Sequence, residues 1–190
     1  MLKFFKITVK KEDADAAGAF LNREEKAAAG MISDEFLRLR FILVRGTLRK
    51  ELSAFLNIAP EKIELGETEN GKRFVVFPKD KIFFNISHSR DCSLIAIADY
   101  EIGIDVEKIR PLRYEEIMKY CFSDAEQQEA AGNPENFFRI WTAKEALVKL
   151  KGGSLFKPDS PAKCGADSRV RIRHKKAGNY MLAVASYRHD

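Results

Sequence analysis

Four side chains in this 190-residue chain have types and spacings suited to phosphate chemistry. Asp105 and Glu107 stand two apart in Ile102-Gly103-Ile104-Asp105-Val106-Glu107; Glu145 and Lys149 stand four apart in Trp141-Thr142-Ala143-Lys144-Glu145-Ala146-Leu147-Val148-Lys149. Same-face residues two apart on a strand lie about 6.5–7 Å from each other, within reach of one hard cation. Residues four apart on a helix share a face. Mg²⁺ prefers oxygen ligands and keeps positions for water or phosphate, so three carboxylates and a lysine on two rigid elements form a candidate Mg²⁺ site. Spacing alone equally describes the solvated side of a strand and an ordinary surface helix.

The elements that must position these groups are legible in the pattern. Ile102, Ile104 and Val106 alternate as a strand, pointing Gly103, Asp105 and Glu107 to its other face. Ser93 to Ala98 and Ile102 to Ile109 are expected to pair as a β-hairpin through Asp99-Tyr100-Glu101. Gly132-Asn133-Pro134 opens the helix of Glu145, with Phe137, Ile140, Ala143, Leu147 and Leu150 as its buried stripe, and Gly152-Gly153 ends it. Ahead of it, Tyr114 to Phe122 reads as a short helix and Ser123-Asp124-Ala125-Glu126 as a capping box.

Upstream, Met1 to Lys10 reads as a first strand, and Asp13 to Ala29 as a short helix that Gly30 ends. Ser33-Asp34 caps a longer helix whose Arg38, Arg40, Arg45, Arg49 and Lys50 are expected mostly on a solvated face. Lys62 to Gly66 and Arg73 to Phe77 flank the turn dipeptide Asn70-Gly71, which would hold Lys72 out on a corner. Lys81 to Ser89 is an apolar strand ending in Ser87-His88-Ser89, three polar groups that can converge on a ligand. No acid neighbours His88 in sequence, so a Ser-His-Asp hydrolase is not indicated. The tail reads as a loop with Pro158 and Pro161, then two strands, Ser168 to Lys175 and Asn179 to Tyr187. The first carries Arg169, Arg171 and Arg173 on one face, as a grip on nucleic acid or as the charge that guards an edge strand.

The chain is long enough for one large domain or two small ones sharing a core. A hydrophobic fraction of 45% with 32% charged residues fits a globular protein. The formal charge of +5 suits an anionic partner. Cys92, Cys121 and Cys164 are odd in number and lack C-x-x-C spacing, which points to a reducing compartment rather than a disulfide framework. The N-terminus lacks an apolar signal region, and no apolar run is long enough for a membrane span.

Three blocks resemble the 4′-phosphopantetheinyl transferases, most closely the monomeric, surfactin-synthetase-type branch. They are Asn85-Ile86-Ser87-His88-Ser89, then Ile102 to Glu107, then Phe138-x-x-Trp141-Thr142-x-Lys144-Glu145-Ala146-x-x-Lys149, in the family's order. The resemblance implies an α+β pseudo-dimer of two similar halves, drawn here as residues 1–98 and 99–190, with coenzyme A between them. It implies transfer of the phosphopantetheine arm from coenzyme A to a serine of an acyl or peptidyl carrier protein, releasing 3′,5′-ADP. By position, Asp105, Glu107 and Glu145 would hold Mg²⁺, with Asp105, Glu145 and Lys149 the catalytic set. Lys149 and His88 would contact the pyrophosphate, Lys144 would sit nearby, and Arg45, Lys72 and Ser87 would hold the 3′-phosphate end. Glu145 is the candidate base for the serine, directly or through a metal-bound water. A cytoplasmic monomer that engages neither nucleic acid nor membrane is expected, and the carrier is expected on the surface near Tyr114 to Phe122. Arg73 stands where the family commonly has proline after the Gly-Lys pair.

Two rivals use the same residues differently. A basic nucleic-acid-binding module would rely on the arginine strand and the basic helix and give Asp105 no role. A Mg²⁺-dependent phosphohydrolase would share the carboxylates and use water as nucleophile.

Overall fold

In the computed structural model, residues 1–79, 81–111, 113–153 and 167–188 are described. The expected loop with Pro158 and Pro161 lies outside them. β1 (Leu2–Thr8), β4 (Phe83–Ser89) and β5 (Cys92–Ala98) form one antiparallel sheet in the order β1-β5-β4. β6 (Ile102–Lys108), β7 (Val170–Ala177) and β8 (Tyr180–Tyr187) form a second in the order β6-β8-β7. Each sheet therefore places its last strand between its first and second. Each also has one long helix between its first two strands: α3 (Glu35–Leu56) in the first half, α6 (Pro134–Lys151) in the second. The fold is an α+β pseudo-dimer of two similar halves.

The expected hairpin between the strands ending at Ala98 and starting at Ile102 does not form. β5 pairs with β1 and β4 while β6 pairs with β8, so the link of residues 99–101 crosses between sheets. The reason is burial: every β5 residue is buried, so it needs partners on both edges and cover on both faces. The hairpin instead joins β4 to β5 through Arg90, at φ 57°, and Asp91.

The two sheets pack face to face through Cys92, Leu94, Ala96 and Ala98 against Ile102, Ile104 and Val106. On the outer side of the first sheet, Leu43, Val44, Leu48 and Leu52 of α3 meet Ile7, Phe84, Ile95 and Ile97. Leu48 and Leu52 are fully buried, each contributing about 1.5–3 kcal/mol. On the outer side of the second, Ala146, Leu147 and Leu150 of α6 meet Ala183 and Ala185. Gly103 lets α6 lie directly on β6: a Cβ there would stand 2.1 Å from the Ala146 carbonyl oxygen and 2.4 Å from the Leu150 nitrogen.

The segment from Asp13 to Ala29 forms two helices, α1 (Ala14–Gly18) and α2 (Arg23–Gly30), because Asn22 starts a new one with a capping box to Glu25. Asp34 caps α3, accepting from the Leu37 N–H at 2.8 Å. β2 (Glu64–Glu67) and β3 (Arg73–Phe77) form the expected hairpin, with Gly71 at φ +81°. Next come α4 (Glu115–Cys121) and α5 (Asp124–Ala130), the latter opened by the expected Ser123–Glu126 capping box. Tyr114, Met118, Cys121 and Phe122 are buried against Phe137 and Phe138, leaving Tyr120 as the large exposed apolar side chain there.

Candidate active site

Two elements bring the acidic groups together. β6 presents Asp105 and Glu107 toward α6, and α6 presents Glu145 and Lys149 one turn apart. All four line one cleft of about 860 Å³, between α6 and β6 of one half and α3 and β4 of the other. Arg45, Lys72, Ser87 and His88 line the same cleft. Asp105 is only 4% exposed, so it does not sit on the solvated face that spacing alone allowed.

β4 and β6 run alongside each other without backbone pairing, and side chains of β4 replace the ladder. Asn85 Oδ1 accepts from the Ile104 N–H at 3.0 Å, Ser87 Oγ from the Val106 N–H at 3.2 Å, and Ser89 Oγ from the Lys108 N–H at 3.1 Å. These rungs satisfy the open edge of β6, which would otherwise bury unpaired donors. The serine hydroxyls also donate to the carboxylates beside them: Ser87 to Asp105 Oδ1 at 2.7 Å, Ser89 to Glu107 Oε2 at 2.5 Å. Asn85 and Ser89 are thus positioning residues; read from sequence, Ser89 groups with Ser87 and His88, and Asn85 carries no role of its own. Their signal is the period-two polar stripe Asn85-x-Ser87-x-Ser89, ending a strand that is otherwise apolar.

Lys149 Nζ donates to Asp105 Oδ1 at 2.7 Å and to Ser87 Oγ at 3.1 Å. The other carboxylate oxygen, Asp105 Oδ2, is buried without a hydrogen-bond partner. Burial, with repulsion from Asp105 and Glu107, pushes the Glu145 carboxyl up to about 7 against the opposing pull of Lys149. Burial also raises Glu107, against the hydrogen bond from Ser89. Asp105 adds to the upward shifts of both Glu107 and Glu145, so the carboxylates of β6 and α6 share one electrostatic environment. Among the described residues, no three side chains of ligating type are already gathered about one point.

The opposite wall is cationic. Arg45 is 9% exposed, its guanidinium carbon 5.7 Å from the Phe41 ring centroid, and its Nη1 is buried without a partner. Burial and the nearby Arg73 lower it to about 10. A buried guanidinium with an unmet donor, facing a cleft, suits a phosphate. His88 is lowered by burial, then by Arg40, and favours neutral imidazole. Lys72 is not held out on a corner: its Nζ donates to the Leu150 carbonyl at 2.7 Å, and Asn70 Nδ2 to the Gly152 carbonyl at 2.8 Å. The β2–β3 turn thereby docks onto the end of α6.

Two further expectations about basic residues change. Arg49 does not face solvent; it is 2% exposed, ion-paired to Glu25, and donates to the carbonyls of Pro60 at 2.6 Å and Ile63 at 3.0 Å. Lys144 does not reach the cleft. Adjacent helix positions point about 100° apart, and Lys144 turns toward α5, its Nζ 3.0 Å from Glu126 Oε2 and 5.7 Å from the Phe122 ring centroid.

Residues 101–185 match the model of the 4′-phosphopantetheinyl transferase superfamily. Over 164 residues the chain is 32% identical to the 4′-phosphopantetheinyl transferase HetI of Nostoc sp., covering 76% of this chain and 69% of that protein. The chain belongs to the 4′-phosphopantetheinyl transferase superfamily. It is also 36% identical to the 4′-phosphopantetheinyl transferase gsp of Aneurinibacillus migulanus, over 63% of this chain and 51% of gsp. It is 32% identical to the 4′-phosphopantetheinyl transferase psf-1 of Bacillus pumilus, over 70% of this chain and 58% of psf-1. The chain thus spans little more than half the length of the last two. The superfamily match covers both carboxylate-bearing elements, β6 and α6.

Proposed function

We propose that the cleft binds coenzyme A and that the protein transfers its 4′-phosphopantetheine arm to a serine of an acyl or peptidyl carrier protein, releasing 3′,5′-ADP. The observation that carries this reading is the pairing of two opposite demands in one cleft. Asp105 brings an unmet buried oxygen beside two further carboxylates, and Arg45 brings an unmet buried donor across from them. A ligand with a pyrophosphate at one end and a separate phosphate at the other meets both.

The donor set is all oxygen and Asp105 Oδ2 has no partner among the described residues, so Asp105, Glu107 and Glu145 fit Mg²⁺. When bound, the ion supplies charge neutralisation at the pyrophosphate. Lys149, anchored on Asp105 and Ser87, holds its ammonium where charge gathers on the attacked phosphoryl group and on departing 3′,5′-ADP. His88 donates to the pyrophosphate. Arg45 holds the 3′-phosphate, with Lys72 supplying the two ammonium hydrogens that Leu150 does not take. Ser87 acts chiefly through Asp105 and Lys149, its hydroxyl being fully engaged. Glu145, which lines the cleft one turn from Lys149, is the candidate base that takes the proton of the attacking serine.

The units that close on coenzyme A are residues 1–98 and 99–190, and since one chain supplies both walls the protein acts as a monomer. Its setting is the cytoplasm, which the free thiols of Cys92 and Cys121 suit. In this reading it engages neither nucleic acid nor membrane. Incubation with apo-carrier, coenzyme A and Mg²⁺ should release one 3′,5′-ADP per carrier. Release at the same rate without carrier would make the protein a hydrolase and overturn the proposal.

A further inference from the structure

The repeat that builds the active cleft builds a second recess, on the opposite edge of the sandwich. The cleft forms where β4, the second strand of the first sheet, meets β6, the first strand of the second. The repeat gives one equivalent junction, where β7 meets β1. A groove of about 510 Å³ lies there, lined by Leu2 and Phe4 of β1, Tyr100, Arg171 and Arg173 of β7, Val184, Ser186 and Tyr187 of β8, and Arg188.

The inward face of the second sheet changes character as it reaches this groove. On β6 and β8 that face carries Ile102, Ile104, Val106, Leu182 and Val184, which pack on the first sheet. One strand further out, the residues registered beside Ser186 and Val184 are Arg171 and Arg173. Across from them, Leu2 and Phe4 pair with Ala98 and Ala96 and so share the inward face of the first sheet. Among the described residues, Arg171, Arg173 and Arg188 make no side-chain ion pair or hydrogen bond, whereas Arg169 is tied to Asp167 at 3.1 Å. Asp99 is held by the N-terminal ammonium at 2.5 Å, and no carboxylate lines the groove among the described residues. At the β4–β6 junction the corresponding inward side chains are Asn85, Ser87 and Ser89, which join the two strands; the arginines leave their junction open.

Charge on an edge strand, outward or inward, guards it against pairing. Here the inward arginines also line a recess in the sandwich, beside exposed Phe4. Guanidinium groups bind phosphates bidentately, and purine and pyrimidine rings stack on aromatic and guanidinium planes. The recess lies within the size range of small-ligand pockets. We propose that the β1–β7 groove is a second, non-catalytic binding site for a nucleoside polyphosphate, with Arg171, Arg173 and Arg188 on the phosphates and Phe4 against the base.

The test is equilibrium dialysis of the full chain against ATP at about 0.15 M salt, where long-range attraction is screened. The wild type is compared with Arg45→Met, whose active cleft has lost its buried guanidinium, and inorganic tripolyphosphate is run in parallel. One ATP per chain is expected to remain bound in Arg45→Met, at least threefold more tightly than tripolyphosphate, and to be weakened at least tenfold when Arg171→Glu/Arg173→Glu is added. Both substitutions are at exposed positions, and an unchanged melting curve confirms the fold of the variant. Four outcomes overturn the proposal: no ATP bound by Arg45→Met, binding indifferent to the double substitution, equal affinity for tripolyphosphate, or tighter binding of an oligonucleotide than of ATP. Loss of carrier modification in the double variant, without any loss of ATP binding, would assign the arginines to the acidic carrier and also overturn it. Because the groove is read through its own substitutions, failure here leaves the transferase reading of the cleft standing.

Discussion

The Ser87 hydroxyl donates to Asp105 Oδ1 at 2.7 Å while accepting from the backbone of Val106, the next residue of the same strand, at 3.2 Å. One side chain from the first half thus fixes both the rotamer of the buried acid and the position of the strand bearing it. With Lys149 at 3.1 Å, the one donor and two acceptor sites of the hydroxyl are all engaged.

Replacing Ser87 by Ala should therefore have two separable effects. The Val106 N–H loses its partner in a buried site, which costs about 1–3 kcal/mol and should appear as a lower melting temperature. Asp105 loses its anchor, and transfer should fall by more than the stability loss explains at a temperature where the variant is fully folded. A folded variant with the wild-type rate would show that Asp105 needs no such anchor.

Asp105→Asn keeps the shape of the side chain and removes its charge. Transfer should drop by at least a hundredfold, and raising Mg²⁺ should not restore it. A variant whose rate recovers at high Mg²⁺ would place the essential ligands elsewhere.

Much of this site is legible in the chain, because it is built from local periodicities. The alternation around Ile104 and the one-turn spacing of Glu145 and Lys149 each place their groups on a common face, and the structure brings those faces together. The failures concern relationships between distant segments. Nothing near Ala98 signals that the chain leaves one sheet for another at residues 99–101. The burial of Arg49 depends on Glu25 and on carbonyls at Pro60 and Ile63, which no local pattern connects. Lys144 is different, since its offset from Glu145 follows from helix geometry alone and could have been read in advance.

Gly103→Ala tests the contact that sets α6 on β6. A methyl group there meets helix backbone at 2.1 and 2.4 Å, which cannot yield as a flexible side chain would. Overpacking costs typically about 1–3 kcal/mol, and the shift of α6 carries Glu145 and Lys149 away from Asp105. Stability and transfer should both fall; a wild-type melting curve with wild-type transfer would mean that the close approach is not required.

Arg45→Met removes a buried, partly unmet guanidinium, so the melting temperature should hold or rise. The KM for coenzyme A should rise roughly tenfold to a hundredfold, the worth of a charge-assisted hydrogen bond. Preference for coenzyme A over its 3′-dephospho form should disappear. Preference retained in full would move the 3′-phosphate away from Arg45.

Glu145 gives a pH-dependent stability of definite sign. Its carboxyl is raised from 4.5 to about 7, so the folded protein holds that proton more tightly than the unfolded chain does. The stability this lends is complete below about pH 4.5 and is lost as pH rises through about 7. Glu145→Gln escapes the loss. Without divalent ions it should be more stable than wild type at pH 8, by about 1–3 kcal/mol at roughly 1.4 kcal/mol per pKa unit, and the gap should narrow toward pH 5. A variant less stable than wild type at pH 8 would contradict the buried, repelled carboxylate.

The central claim is most directly tested by the intact mass of an apo-carrier protein after incubation with this protein, coenzyme A and Mg²⁺. A gain of one phosphopantetheine arm on a single serine is expected, absent when the divalent ion is chelated and slowed at least a hundredfold with Asp105→Asn. An unchanged carrier mass across several acyl and peptidyl carriers, with coenzyme A intact, would contradict it.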